Sequence, residues 1–117
     1  MAGIVFFKTE MLEELTEFYV HEVGCSLWMD QKDCRIFRHG TFLFAFCQRD
    51  AAETGGVLTF FYPERRKVDA IYDHFREIAL DRPKMNPNYP IYNFYAKDPE
   101  GRLVEFQYFT NAPEWEF

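Results

Sequence analysis

Ile91-Tyr92-Asn93-Phe94-Tyr95-Ala96-Lys97-Asp98-Pro99-Glu100-Gly101-Arg102-Leu103-Val104-Glu105-Phe106-Gln107-Tyr108-Phe109 reads as two strands around one turn. Pro99 presets φ at the second turn position, and Gly101 can take the left-handed conformation. Upstream, Asp81 to Pro90 holds three prolines and two asparagines, so it is mostly loop with room for one short strand. Before it, Val68, Ile71, Tyr72, Phe75, Ile78 and Ala79 recur at helical spacing. Val57 to Tyr62 is a strand candidate, and Pro63 suits the first turn of the following helix.

The same order occurs earlier in the chain. Ile4 to Lys8 reads as a strand, and Thr9 is placed to cap a helix. Met11, Leu12, Leu15, Phe18 and Tyr19 form that helix's apolar stripe, and Gly24 is a natural stop. Ser26 to Asp30, Cys34 to Arg38 and Thr41 to Gln48 follow as strands. The third is apolar on both faces, which predicts cover on both sides. Asp50 to Gly56 is the only linker-like stretch.

The chain is therefore a repeat. One alignment lays Ile4 on Val57, Phe7 on Phe60 and Tyr19 on Tyr72; another lays Gly40 on Gly101 and Phe44 on Glu105. The expected fold is α+β: two βαβββ modules, residues 1–52 and 53–117, forming one domain with a curved, partly closed mixed sheet around a cleft.

Length and composition agree with this. The 117 residues suffice for one domain, and 48% hydrophobic content supplies a core. The net charge of -6 argues against nucleic acid as a partner, since phosphate binding needs clustered cations. No apolar run approaches the roughly 18 residues of a membrane span, and the run Ile4-Val5-Phe6-Phe7 is too short for a signal peptide. Cys25, Cys34 and Cys47 are odd in number and lack CxxC spacing, so neither a disulfide framework nor a zinc knuckle is expected. A cytoplasmic, reducing setting follows from these readings. Aromatic residues, at 20%, exceed the usual need of so small a core, which suggests a lined cleft or an interface.

The Asp98–Phe106 segment resembles the DP[DE]G-x-x-[IV]E-[LF] hairpin of the vicinal oxygen chelate superfamily, which holds glyoxalase I, bleomycin-resistance proteins and extradiol dioxygenases. Glu17-Phe18-Tyr19-Val20-His21-Glu22-Val23-Gly24 is similar to the family's helix ending in FY-x-x-x-[LV]G. The resemblance implies a metal site in a cleft between the modules, with ligands from the first and last strand of each. Carried over, those positions are Ile4, Phe44, Val57 and Glu105, and only Glu105 can bind a metal. A catalytic site usually keeps at least three protein ligands. No metal and no cofactor are therefore expected.

Glu105, between Val104 and Phe106, is the candidate polar anchor and the candidate catalytic base, because a buried carboxylate there would have a raised pKa. Phe42, Phe44 and Phe46 share one sheet face and either line an aromatic pocket or fill a core. Trp28, Tyr92, Phe94, Tyr95 and Tyr108 are further candidates for ligand contact or for core, with Trp28 and Tyr92 preferred as ligand-binding residues. Arg35 and Arg38 lie on opposite strand faces, and the three histidines are scattered. The expected function is metal-independent binding of a small aromatic or apolar molecule by a homodimer. The alternatives are a metal-dependent lyase or dioxygenase of the same superfamily, or an interaction module with a filled cleft. Whether a reaction is catalysed stays open at the level of sequence.

Overall fold

The computed structural model describes residues 1–117 and divides them into two compact units. The first comprises residues 1–55 together with Asp98–Gly101; the second comprises residues 56–97 and 102–117. The fold is α+β, with one four-stranded mixed sheet per unit and neither sheet closed into a barrel. No helix is long and apolar enough to cross a membrane.

The first unit runs β1 (Ile4–Thr9), α1 (Leu12–Glu17), a π-helical turn (Phe18–Val23), β2 (Ser26–Gln31), β3 (Cys34–His39) and β4 (Phe42–Gln48). Its sheet order is β1-β4-β3-β2, with β1 and β4 parallel and the remaining pairs antiparallel. Gly24 ends the π-helical turn at φ 93°, a conformation that β-carbon-bearing residues adopt at a cost. The expected cap differs from the one observed. Thr9 Oγ1 accepts from the Met11 N–H, one residue ahead of the helix, while Gln48 Oε1 takes the Leu12 N–H at 3.0 Å. Burial of Leu12 and Leu15 then fixes the short helix on the sheet.

Tyr19, Phe37, Phe44 and Phe46 form the centre of this unit and are fully buried. Tyr19 lies 5.2 Å from Phe44 and 5.3 Å from Phe46. The face shared by Phe44 and Phe46 is therefore the face under the helical segment, and Leu43, Ala45 and Cys47 occupy the other by alternation.

The second unit runs β5 (Val57–Phe61), α2 (Arg65–Phe75), β6 (Lys84–Met85), β7 (Ile91–Lys97) and β8 (Leu103–Phe109). Its order, β5-β8-β7-β6, repeats that of the first. Pro63 stands just before Glu64, the residue flanking α2, and not within the first turn. Phe106 stacks against Phe60, Phe75 and Phe94 at 5.2–5.8 Å, which places Leu58, Phe60, Phe94, Val104 and Phe106 beneath α2.

Strand pairing corrects the expected equivalence of Phe44 and Glu105. Ile4 pairs with Leu43 as Val57 pairs with Leu103, so the equivalent of Glu105 is Ala45. The cause lies in the turns. Arg38 pairs with Leu43 across four intervening residues, whereas Lys97 pairs with Leu103 across five. Aligning the two turn glycines shifts the following strands by one residue, and a one-residue shift exchanges the two sheet faces.

The cysteine expectation is also corrected. Cys34 and Cys47 oppose one another in the β3–β4 ladder and form a disulfide. Spacing along the chain carried no sign of it, because the bridge depends on hairpin register. Cys25 stays a buried free thiol, its pKa pushed up to about 12 by desolvation. Native protein should therefore show no thiol to an aromatic disulfide reagent at neutral pH. Unfolding without reductant should expose one thiol, and unfolding after reduction three. Three thiols in unfolded, unreduced protein would contradict the bridge.

Candidate functional site

The chemistry-bearing side chains of the second unit collect on the sheet face away from α2. Thr59, Glu105 and Tyr95 stand side by side across β5, β8 and β7, and Phe61, Gln107 and Asn93 form the next row. Thr59 Oγ1 donates to Glu105 Oε1 at 2.8 Å, and Asn93 Nδ2 donates to Glu105 Oε2 at 2.6 Å. Glu105, Asn93 and Gln107 are buried, while Thr59 is half-buried and Tyr95 partly exposed. A buried carboxylate is tolerable when its oxygens accept hydrogen bonds, which these two do. The Tyr95 hydroxyl also interacts with this carboxylate, which so gathers partners from all three strands.

Two further features belong to this face. The Tyr95 phenol has a raised pKa, through burial first and then through the negative charge of Glu105 beside it. Gln107 Oε1 is buried without a hydrogen-bond partner. An unsatisfied buried carbonyl costs roughly 1–3 kcal/mol.

The equivalent rows of the first unit are different in kind. Phe6, Ala45 and Ile36 replace Thr59, Glu105 and Tyr95, and the Cys34–Cys47 bridge occupies the place of Asn93 and Gln107. The polar face is thus a property of the second module alone.

The remaining sequence candidates lie elsewhere. Phe44 and Phe46 are core residues under the helical segment, and half-buried Phe42 stacks on Phe44 at 5.1 Å. Tyr92 lies on the α2 side of its sheet, opposite to Glu105. Its hydroxyl donates to Asp69 Oδ1 at 2.5 Å, and the Arg65 guanidinium covers its ring at 3.9 Å. Trp28 is exposed at a bulge in β2. Arg35 binds Glu13 and Thr16 on α1, and Arg38 binds the Gly40 carbonyl of its own turn. Sequence reading named Glu105 and Tyr95 but missed Thr59, Asn93 and Gln107. The available signal was alternation: Asn93-x-Tyr95 and Glu105-x-Gln107 put polar groups on one face of adjacent strands.

The metal positions implied by the resemblance carry Ile4, Ala45, Val57 and Glu105 in the observed register. One carboxylate among three hydrocarbon side chains does not fit a catalytic divalent ion. No group of three or more His, Cys, Asp or Glu side chains in the structure is placed to hold one.

Solved structures share this fold. A lactoylglutathione lyase from Agrobacterium tumefaciens matches with a TM-score of 0.76 and 20% identity, covering 92% of each chain. A glyoxalase/bleomycin resistance protein/dioxygenase from Nocardioides matches at 0.74 and 18% identity, over 100% of this chain and 89% of that one. A protein of the same description from Alicyclobacillus acidocaldarius matches at 0.76 and 16%, over 95% and 92%. No protein-family model matches the chain, and no curated protein sequence does. The fold is that of these glyoxalase/bleomycin resistance/dioxygenase structures.

Proposed function

We propose that the chain is a small-molecule-binding protein that uses the Glu105 face of its second sheet and needs no metal. The observation that carries this reading is the buried Glu105–Thr59–Asn93 network, with the unpartnered Gln107 Oε1 in the adjoining row. The ligand class is a flat, largely apolar molecule presenting one hydrogen-bond donor. The apolar part suits the half-buried Phe61 and the exposed Val57 on the same face. Glu105 then serves as polar anchor.

Indole and 1-methylindole test this, since they differ in the single N–H donor. Chemical shifts of isotope-labelled protein should move saturably with indole in β5, β7 and β8, with EDTA present. A donor reaching a charged acceptor is worth about 1.5–3 kcal/mol, so indole should bind roughly ten- to a hundred-fold more tightly than its methylated form. Equal affinities, or binding that appears only after zinc, nickel or manganese is added, would overturn the reading.

A homodimer is part of the proposal. Phe6 on the edge strand β1 is 51% exposed, and Ile4, Val5, Trp28 and Val57 are exposed as well. Pairing would cover apolar surface and sheet edges. Sedimentation at tens of micromolar should show a species near twice 14.1 kDa, and a lone 14.1 kDa species would contradict it. Cytoplasmic residence is also proposed. The Cys34–Cys47 bridge should then be reduced in protein alkylated within intact cells, and a bridge intact there would place it in an oxidising compartment.

A further inference from the structure

Residues 111–117 fold back onto the ends of β5 and β8 within the second unit, leaving a cavity of about 330 Å3. Its lining includes Phe61, Tyr62, Tyr108, Phe109, Trp115 and Phe117, and contains no Lys or Arg. Phe61 is the hub: its ring centroid lies 5.4 Å from Phe109, 5.9 Å from Trp115 and 5.3 Å from Phe117. The three neighbours are tilted by 73°, 54° and 67° against it. Rings so tilted turn their faces in different directions and do not close into a stack. Trp115 and Phe117 remain 57% and 58% exposed, so much of their surface stays open.

We propose that this aromatic pocket binds an organic ammonium ion, with Phe61, Trp115 and Phe117 as its walls. Ring faces carry negative quadrupole charge and attract a desolvated cation, Trp most strongly. A tetrahedral alkylammonium head needs several faces set at angles, which the tilts around Phe61 provide. Charge agrees with the assignment. Glu114 and Glu116 flank Trp115 on the same segment, and the chain carries a net charge of -6. An anionic ligand would meet no positive side chain among the lining residues. The site adjoins the Glu105 face and shares Phe61 with it, while its other walls, Trp115 and Phe117, come from residues 111–117.

The test uses the full chain carrying Trp28→Phe, in which Trp115 is the sole tryptophan. Choline and 3,3-dimethylbutan-1-ol serve as probes: they share a shape, and only choline is charged. Choline should change Trp115 emission saturably in the millimolar range, and the neutral alcohol should bind at least tenfold more weakly. Phe61→Leu should weaken choline at least tenfold. Should that variant fail to fold, Phe117→Leu alters an exposed ring and should weaken choline at least threefold. Equal binding of the two probes, no saturable response to choline, or unchanged choline affinity in both variants would overturn the proposal.

Discussion

Phe44→Ala should lower the unfolding free energy by about 3–5 kcal/mol, the cost of emptying a fully buried phenylalanine site. Phe44 has no solvent exposure and meets Tyr19, Phe37, Phe42 and Phe46 at 5.1–6.0 Å between ring centres. Four aromatic neighbours held by a sheet and a helix collapse poorly into the space left behind. Phe44→Leu, which nearly conserves volume, should cost less than about 1.5 kcal/mol. Urea unfolding followed by circular dichroism measures both. A loss under 1 kcal/mol for the alanine variant would show that the ring lines open space and is not core.

Asp98→Ala should be nearly as severe, at about 3 kcal/mol or more. Asp98 is buried and receives the Tyr19 hydroxyl at 2.7 Å on one oxygen and the Glu100 N–H at 2.9 Å on the other. Hydrogen bonds to a charged group contribute about 1.5–3 kcal/mol, and the truncation also strands the hydroxyl of a fully buried tyrosine. Tyr19→Phe removes one bond only, so its cost should be about half. Glu100 extends the same anchor: its carboxylate takes the Thr9 hydroxyl at 2.7 Å and the Glu10 N–H at 2.9 Å. The Asp98-Pro99-Glu100-Gly101 turn thus belongs structurally to the first unit. If Asp98→Ala unfolded at the wild-type urea midpoint, the turn would be a connector without an anchoring role.

That turn explains what could be read from the sequence and what could not. Pro99 and Gly101 announce the hairpin through backbone chemistry, so β7, β8 and the repeat followed from local residues. The face assignment did not, because it depends on the count of residues in each turn. A single extra residue between β7 and β8, relative to β3 and β4, moved Phe44 from equivalence with Glu105 to the core. The Cys34–Cys47 bridge was hidden for the same reason, since it exists only in one hairpin register. The π-helical turn over Phe18–Val23 was hidden because Phe18, Tyr19 and Val23 satisfy a helical stripe in either winding. For the site, Glu105 stood out as a carboxylate in an apolar strand. Its partners Thr59 and Asn93 come from two other strands, and only sheet order joins them.

The central claim is that Glu105 anchors a ligand without a metal. Indole titration of wild-type and Glu105→Gln proteins in EDTA tests it most directly. Gln keeps the shape of Glu105 but turns one amide toward the donors Thr59 or Asn93, at a cost of about 1 kcal/mol in stability. The account predicts indole binding to wild type that weakens roughly ten- to a hundred-fold in the folded variant. Unchanged indole affinity in Glu105→Gln would contradict it and leave Glu105 as a structural residue of the sheet.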